Sequence, residues 1–192
     1  MFGIYIGFLL GGLLLCMPVI QNIISSRPLD TNNPSVYSTA KAESQSTPIE
    51  TPLYSGKPKQ IIIESVGIDL PVEIGQYNPS LRTWTLNDTS AFFAEITPEP
   101  NNKEGNTFIY GHNESSVFES LPGVNIGDEA RIITDNGLQF TYTLEGSKQT
   151  TPDDLELFSY KGAPVLTLQT CTGIWMENRT LFVFSLKEVR QL

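Results

Sequence analysis

The sequence predicts a mainly-β fold, a closed antiparallel-rich barrel or a sandwich. Three observations carry this reading. Period-2 alternation dominates the second part of the chain, the strand-like runs are short and recur at modest spacing, and no long stretch shows the 3.6-residue period of an amphipathic helix.

From the N-terminus, Phe2 to Ile20 is almost wholly apolar, and no charged side chain precedes Arg27. A run of about 20 such residues is enough to cross the hydrocarbon core as a helix. A cleaved leader would carry a basic n-region, a shorter apolar core and a small-x-small cleavage site, none of which stands out. Residues 1–26 therefore read as an uncleaved signal-anchor forming one transmembrane helix, although the positive-inside rule does not orient it. Residues 27–59 are rich in Pro, Ser, Thr, Asn and Gln. They bury too little apolar surface to offset their ordering entropy, and read as a flexible linker. The folded domain is expected over 60–192, near the modal size of a single domain.

Within that domain Leu138, Phe140, Tyr142 and Leu144 alternate with polar residues, the pattern of a strand with one buried face. Residues 129–134 read as the strand before it, and Asp135-Asn136-Gly137 supplies a hairpin turn tolerant of left-handed backbone. Further strands are expected at 60–64, 69–74, 107–110, 165–170 and 181–187. Short helical turns are expected around 90–94, 115–121 and 153–158.

The chain carries a net charge of −9. Without a basic stripe to displace phosphate counterions, a nucleic-acid partner is excluded. Of the two cysteines, Cys16 lies in the apolar run, so the folded domain has one thiol and no internal disulfide.

That domain also has one histidine, which shortens the list of reactive groups. His112 follows the strand-like Thr107-Phe108-Ile109-Tyr110, Cys171 follows Val165 to Thr170, and Arg179 opens the next strand. If the last two strands form a hairpin, Cys171 and Arg179 face each other at one rim of the sheet. A thiol becomes nucleophilic as the thiolate, which a nearby imidazole or cation favours. A fixed guanidinium stabilises the oxyanion of a tetrahedral intermediate. Taken alone, a lone Cys at a strand end is more often a small buried hydrophobe, and a lone His a loop residue.

The words around these residues change the balance. Leu166-Thr167-Leu168-Gln169-Thr170-Cys171 matches the TLxTC signature of sortases, and Arg179, eight residues on, sits where that family keeps its essential Arg. Ile109-Tyr110-Gly111-His112-Asn113 resembles the strand that bears the family's catalytic His. Val117 to Leu121 with Ile126-Gly127-Asp128 is similar to the helix and Gly-Asp turn that follow it. Val66 to Glu73 is similar to the early strand pair. The resemblance runs through the whole folded domain, with the catalytic words in order. It departs at Thr172, where many members carry an acid, and at Glu64-Ser65, where Pro-Lys is usual.

The resemblance implies a closed sortase-like barrel of about eight strands with short helices. It also implies a cysteine transpeptidase with Cys171 as nucleophile, His112 as proton-transfer partner and Arg179 as electrostatic stabiliser. Thr170 would add a polar contact to substrate. The implied substrate is an LPxTG-like C-terminal sorting signal of a surface protein or pilin. The acceptor is an amine of a cell-wall precursor or a pilin Lys. The implied location is the cell membrane, single-pass, with the catalytic domain extracytoplasmic and lipid contacted through the N-terminal helix.

No cofactor is expected. Glu95, Glu99, Glu104, Asp153, Asp154 and Glu156 are candidate calcium ligands because some sortases bind an activating calcium between comparable loops, but a solvated acidic face is the simpler reading. Papain-like peptidases place Cys before His, and L,D-transpeptidases use an S-H-G-C-type word, so both fit less well. The remaining alternatives are a sortase-fold hydrolase, in which water resolves the thioester, and a non-catalytic β-barrel binding protein.

Overall fold

Eight strands close into a barrel in the computed structural model, which describes residues 52–81, 83–151, 156–173 and 178–192. In chain order the strands are β1 (Pro58–Ile63), β2 (Ile68–Gly75), β3 (Tyr77–Asn78), β4 (Thr83–Trp84), β5 (Ala91–Ala94), β6 (Asn106–Tyr110), β7 (Glu129–Thr134), β8 (Leu138–Thr150), β9 (Val165–Thr172) and β10 (Asn178–Gln191). Around the barrel they run β1-β2-β5-β6-β9-β10-β8-β7, while β3 and β4 pair separately as a hairpin. The β2–β5 and β6–β9 pairs are parallel and the others antiparallel. Closure leaves the barrel itself with no unpaired edge strand.

The expected turn at 135–137 links β7 to β8. Gly137 adopts φ 79°, a left-handed conformation that a β-carbon would strain. Thr134 accepts the Leu138 N–H on its hydroxyl at 3.0 Å and fixes the start of β8. β8 then continues well past residue 145, because β10 pairs along its whole length.

Two apolar clusters lie on opposite faces of the same strands. Ile61, Ile63, Phe93, Ile109, Ile132, Phe140, Leu166, Leu168 and Phe184 fill the barrel interior. Phe92, Ala94, Phe108, Tyr110 and Leu181 form a second cluster on the outer face, with Trp84 and Phe158 packed on it. The run Ala91-Phe92-Phe93-Ala94 is therefore buried on both sides. This corrects the helical turn expected at 90–94, since a short continuous apolar run shows no alternation to mark it as a strand. Residues 115–120 form turns, and Leu121–Gly123 is a 3-10 helix. The third expected turn is a 3-10 helix at Glu156–Ser159, with 153–155 outside the described residues.

β1 begins at Pro58, two residues before the expected strand. Residues 52–57, inside the expected linker, are stitched to the loop at 98–104 and the turn at 135–137. The Asn102 side-chain amide donates to the Pro52 carbonyl at 2.9 Å, and the Tyr54 N–H donates to Asn102 Oδ1 at 2.9 Å. Gly56 N–H donates to the Pro100 carbonyl at 3.3 Å, and the Asn136 amide donates to the Ser55 carbonyl at 2.8 Å. This strap lies at the pole where β6 and β8 begin. The expected transmembrane helix lies outside the described residues, and among those described no helix is long and apolar enough to cross a membrane.

Candidate active site

β6, β9 and β10 are consecutive around the barrel, and their ends bring the three candidate groups to one row. β9 and β10 pair antiparallel with Arg179 directly opposite Cys171, the hairpin relation expected from the sequence. β6 and β9 pair parallel from Asn106↔Val165 to Tyr110↔Gln169. Their shared offset of 59 residues continues in the bond from Thr170 to Gly111. β6 itself ends at Tyr110, and His112 follows two residues past that end, on the side of the barrel where β9 reaches Cys171. Cys171 on β9 and Arg179 on β10, with His112 beyond the end of β6, therefore lie at the pole opposite the strap.

Alternation decides which way these residues face. Leu166, Leu168 and Thr170 point into the barrel and are fully buried. Cys171 shares the opposite, outer face with Gln169 and Thr167, and is half-buried. Tyr110, paired with Gln169, belongs to the outer cluster, as does Leu181 on β10. Arg179, two residues before Leu181 on β10, lies on that same face, and His112 follows the end of β6 two residues after Tyr110. The Arg179 guanidinium donates through Nη1 to the Asn178 carbonyl at 3.1 Å.

Several contacts fix the backbone beneath the row. Gly111 N–H donates to the Gln169 carbonyl at 3.1 Å, and the Phe118 N–H donates to the His112 carbonyl at 3.1 Å. A β-carbon on Gly111 would lie 2.8 Å from Val117 Cγ1 and 2.9 Å from Phe118 Cδ2. Only glycine lets the 117–118 turn close over the strand end there. Thr170 was expected to touch substrate. Its side chain instead points inward, and its hydroxyl donates to the Gly111 carbonyl at 3.3 Å. It braces the Cys strand against the His strand.

Two neighbours of the row were missed in the sequence. Asp88, on the connection between β4 and β5, places Oδ1 3.9 Å from His112 Nε2. Trp84 and Phe158 stack with ring centroids 6.0 Å apart, Phe158 stacks on Phe108 at 4.6 Å, and Trp84 meets Tyr110 edge-on at 5.3 Å. These rings make an apolar shelf on the outer face, beginning one strand repeat from the row. Burial pushes the Tyr110 phenol up, and its hydroxyl lies so close to Gly75 that a β-carbon there would collide with it. The Asn-Asp-Thr-Ser word around Asp88 signals only a turn, so no local pattern marked its approach to His112.

Among the described residues no group of three or more His, Cys, Asp or Glu side chains gathers as for a metal ion. Of the acids weighed for calcium, Glu99 accepts from the Ser55 hydroxyl and Glu156 pairs with Lys148, while Asp153 and Asp154 lie outside the described residues.

Comparison with known proteins agrees with this fold. The family model described as Sortase domain matches residues 61–187. Sortase A of Bacillus anthracis is 27% identical over 118 residues, covering 60% of this chain and 52% of that protein. The chain thus spans about half the length of this curated relative. Sortase E1 of Streptomyces coelicolor, solved with a tripeptide in its active site, superposes with a TM-score of 0.58 at 20% identity, covering 71% of this chain and 91% of that one. Sortase A of Listeria monocytogenes gives 0.56 at 21% identity, covering 72% and 92%. At such identities the structural likeness speaks for the fold.

Proposed function

This chain belongs to the sortase family, and we propose that it is a cysteine transpeptidase acting on LPxTG-like sorting signals. The observation that supports the reading is the pairing of Cys171 with Arg179 across β9–β10, with His112 two residues past the end of β6, the strand that runs parallel to β9. In the first half-reaction the Cys171 thiolate attacks the Thr–Gly carbonyl of the donor. Arg179 faces the oxyanion that forms, and the tetrahedral intermediate collapses to a thioester. His112, as imidazolium, protonates the departing glycyl amine. In the second half-reaction His112 takes a proton from the incoming amine as it attacks the thioester, and Cys171 leaves as thiolate. The product is a new amide. The acceptor is an amine of a cell-wall precursor or a pilin Lys, both served by the same row.

The shelf supports a donor with a leading apolar residue. An extended chain advances about 3.3 Å per residue, so a leucine three residues before the scissile threonine lies about 10 Å away. That distance falls between the Tyr110 and Phe108 rows, where Trp84 and Phe158 offer apolar rings. We place the protein in the cell membrane through the apolar run at residues 1–26, with the catalytic domain extracytoplasmic, and assign it no cofactor. Cys171 follows the family pattern, and Thr170 serves as a strand brace rather than a substrate contact.

The test is to incubate residues 52–192 with LPxTG-like peptides and candidate amines and to read intact masses. A thioester adduct on wild type, absent from Cys171→Ala, together with an amine-ligated product, is the expected result. A free carboxylate as sole product would identify a hydrolase. A folded protein forming no adduct with any peptide would leave a binding role and sink the catalytic reading.

A further inference from the structure

The connection leading into β5 carries one acidic side chain to the candidate row, and that contact rests on an unusually complete set of braces. Asn87 Oδ1 accepts the N–H groups of Thr89 at 3.0 Å and Ser90 at 2.8 Å, closing a tight turn around Asp88. Glu73 on β2 then holds this turn to the barrel, accepting the Ser90 hydroxyl at 2.6 Å and the Asn87 amide at 3.3 Å. Ser90 is 2% exposed, so the hydroxyl end of that anchor is buried while Glu73 lies at the surface. From the other side, Ser116 donates its hydroxyl to the Asp88 carbonyl at 2.6 Å. Ser116 belongs to the loop that leaves His112, and that loop is itself fixed by the Phe118–His112 backbone bond.

Asp88 and His112 therefore meet at two points. A hydroxyl joins the backbones of their loops, and the Asp88 carboxylate lies 3.9 Å from His112 Nε2. With both backbones held, the imidazole ring torsion is the main freedom left. We propose that Asp88 is a positioning residue for His112, its carboxylate orienting the ring toward Cys171 while Ser116 clasps the two loops together. This rests on the catalytic reading of the row. The carboxylate is 79% exposed and the imidazole 38%, so water screens the pair and its contribution is modest and sensitive to salt.

The test compares wild type with Asp88→Asn, Asp88→Glu and Ser116→Ala, all in the full-length chain. Asp88→Asn keeps the shape of the side chain and the carbonyl that Ser116 uses, and removes only the charge. Its rate of thioester formation at low salt is expected to fall about twofold to tenfold, with KM for the donor unchanged. At 1 M salt, where the Debye length is about 3 Å, wild type should approach the Asp88→Asn rate. Asp88→Glu should recover part of the loss, and Ser116→Ala should lower the rate while keeping the salt response.

An Asp88→Asn protein with the wild-type rate and salt response would overturn the proposal. So would a loss in rate that only tracks a loss in melting temperature. Because His112 is the only histidine, its imidazole signals in NMR give a second, activity-independent readout. If wild type forms no thioester, the catalytic reading fails, and the ring signals still decide the placement. A salt response of those signals that Asp88→Asn abolishes supports it, and an unchanged one overturns it.

Discussion

Replacing Arg179 by Lys keeps a positive charge opposite Cys171 and removes the planar fork. The register puts Arg179 and Cys171 directly across β9–β10 with side chains on one face, and such pairs hold their β-carbons about 4.5–5.5 Å apart. A guanidinium so placed can direct two parallel N–H groups at a substrate carbonyl and the developing oxyanion, even with Nη1 also near the Asn178 carbonyl. Lysine offers one mobile ammonium on a flexible stem and cannot reproduce both bonds at once. Loss of one oxyanion-stabilising donor typically costs about a hundredfold to a thousandfold in turnover. The expected result for Arg179→Lys is a loss of that size in kcat for peptide cleavage, with the melting temperature nearly unchanged. If Arg179 were only a surface cation, the substitution would cost about 0–1 kcal/mol of stability and leave turnover intact. Near-normal turnover in a folded Arg179→Lys protein would therefore refute the stabiliser role.

Other outcomes follow from the same geometry. Thr170→Val keeps the shape of a fully buried side chain and removes its bond to the Gly111 carbonyl; it should cost about 1 kcal/mol of stability and a larger share of turnover, and a drop in melting temperature with kcat untouched would remove the brace role. A fragment of residues 52–192 should unfold cooperatively, and shortening it to 60–192 should lower the urea midpoint by deleting the strap bonds at Tyr54 and Gly56; equal midpoints would show the strap to be dispensable. Asp128 accepts the Asn125 N–H at 3.0 Å and a bond from Ser65, which together hold its carboxyl below the usual range. A depressed folded value stabilises above the unfolded one, near pH 4, and is lost as pH falls through the folded one. Asp128→Asn should flatten the acid limb of the melting temperature in that window, and an unchanged limb in calorimetry would contradict the assignment.

Much of the fold was legible because strands that alternate apolar with polar side chains announce themselves, even where, as at Gln139 and Thr141, the polar face is also buried. β7 matches the expected strand at both ends, and β8 follows the Leu138, Phe140, Tyr142, Leu144 alternation before running on to Thr150. The extension was invisible in isolation, since Gly146 to Thr150 become a strand only because β10 lies alongside them. β5 was hidden for the opposite reason. Covered on both faces, Ala91 to Ala94 show no period, and only the packing against Phe108 and Tyr110 outside and Ile109 inside makes the segment a strand.

The sequence by itself determined the chemical inventory: one thiol and one imidazole in the folded domain, with a guanidinium placed to open the final strand. It also implied the Cys171–Arg179 meeting, because two runs separated by a short loop fold back on each other locally. The approach of the strand leading to His112 to the strand bearing Cys171 was decided by the tertiary structure. It depends on a parallel pairing between strands 59 residues apart in sequence, and no local pattern encodes such a register. The same holds for Asp88 and the Trp84–Phe158 shelf, whose contacts join separate connections across the outer face of the barrel. Composition and periodicity report which faces are dry. Only closure of the chain reports which side chains meet there.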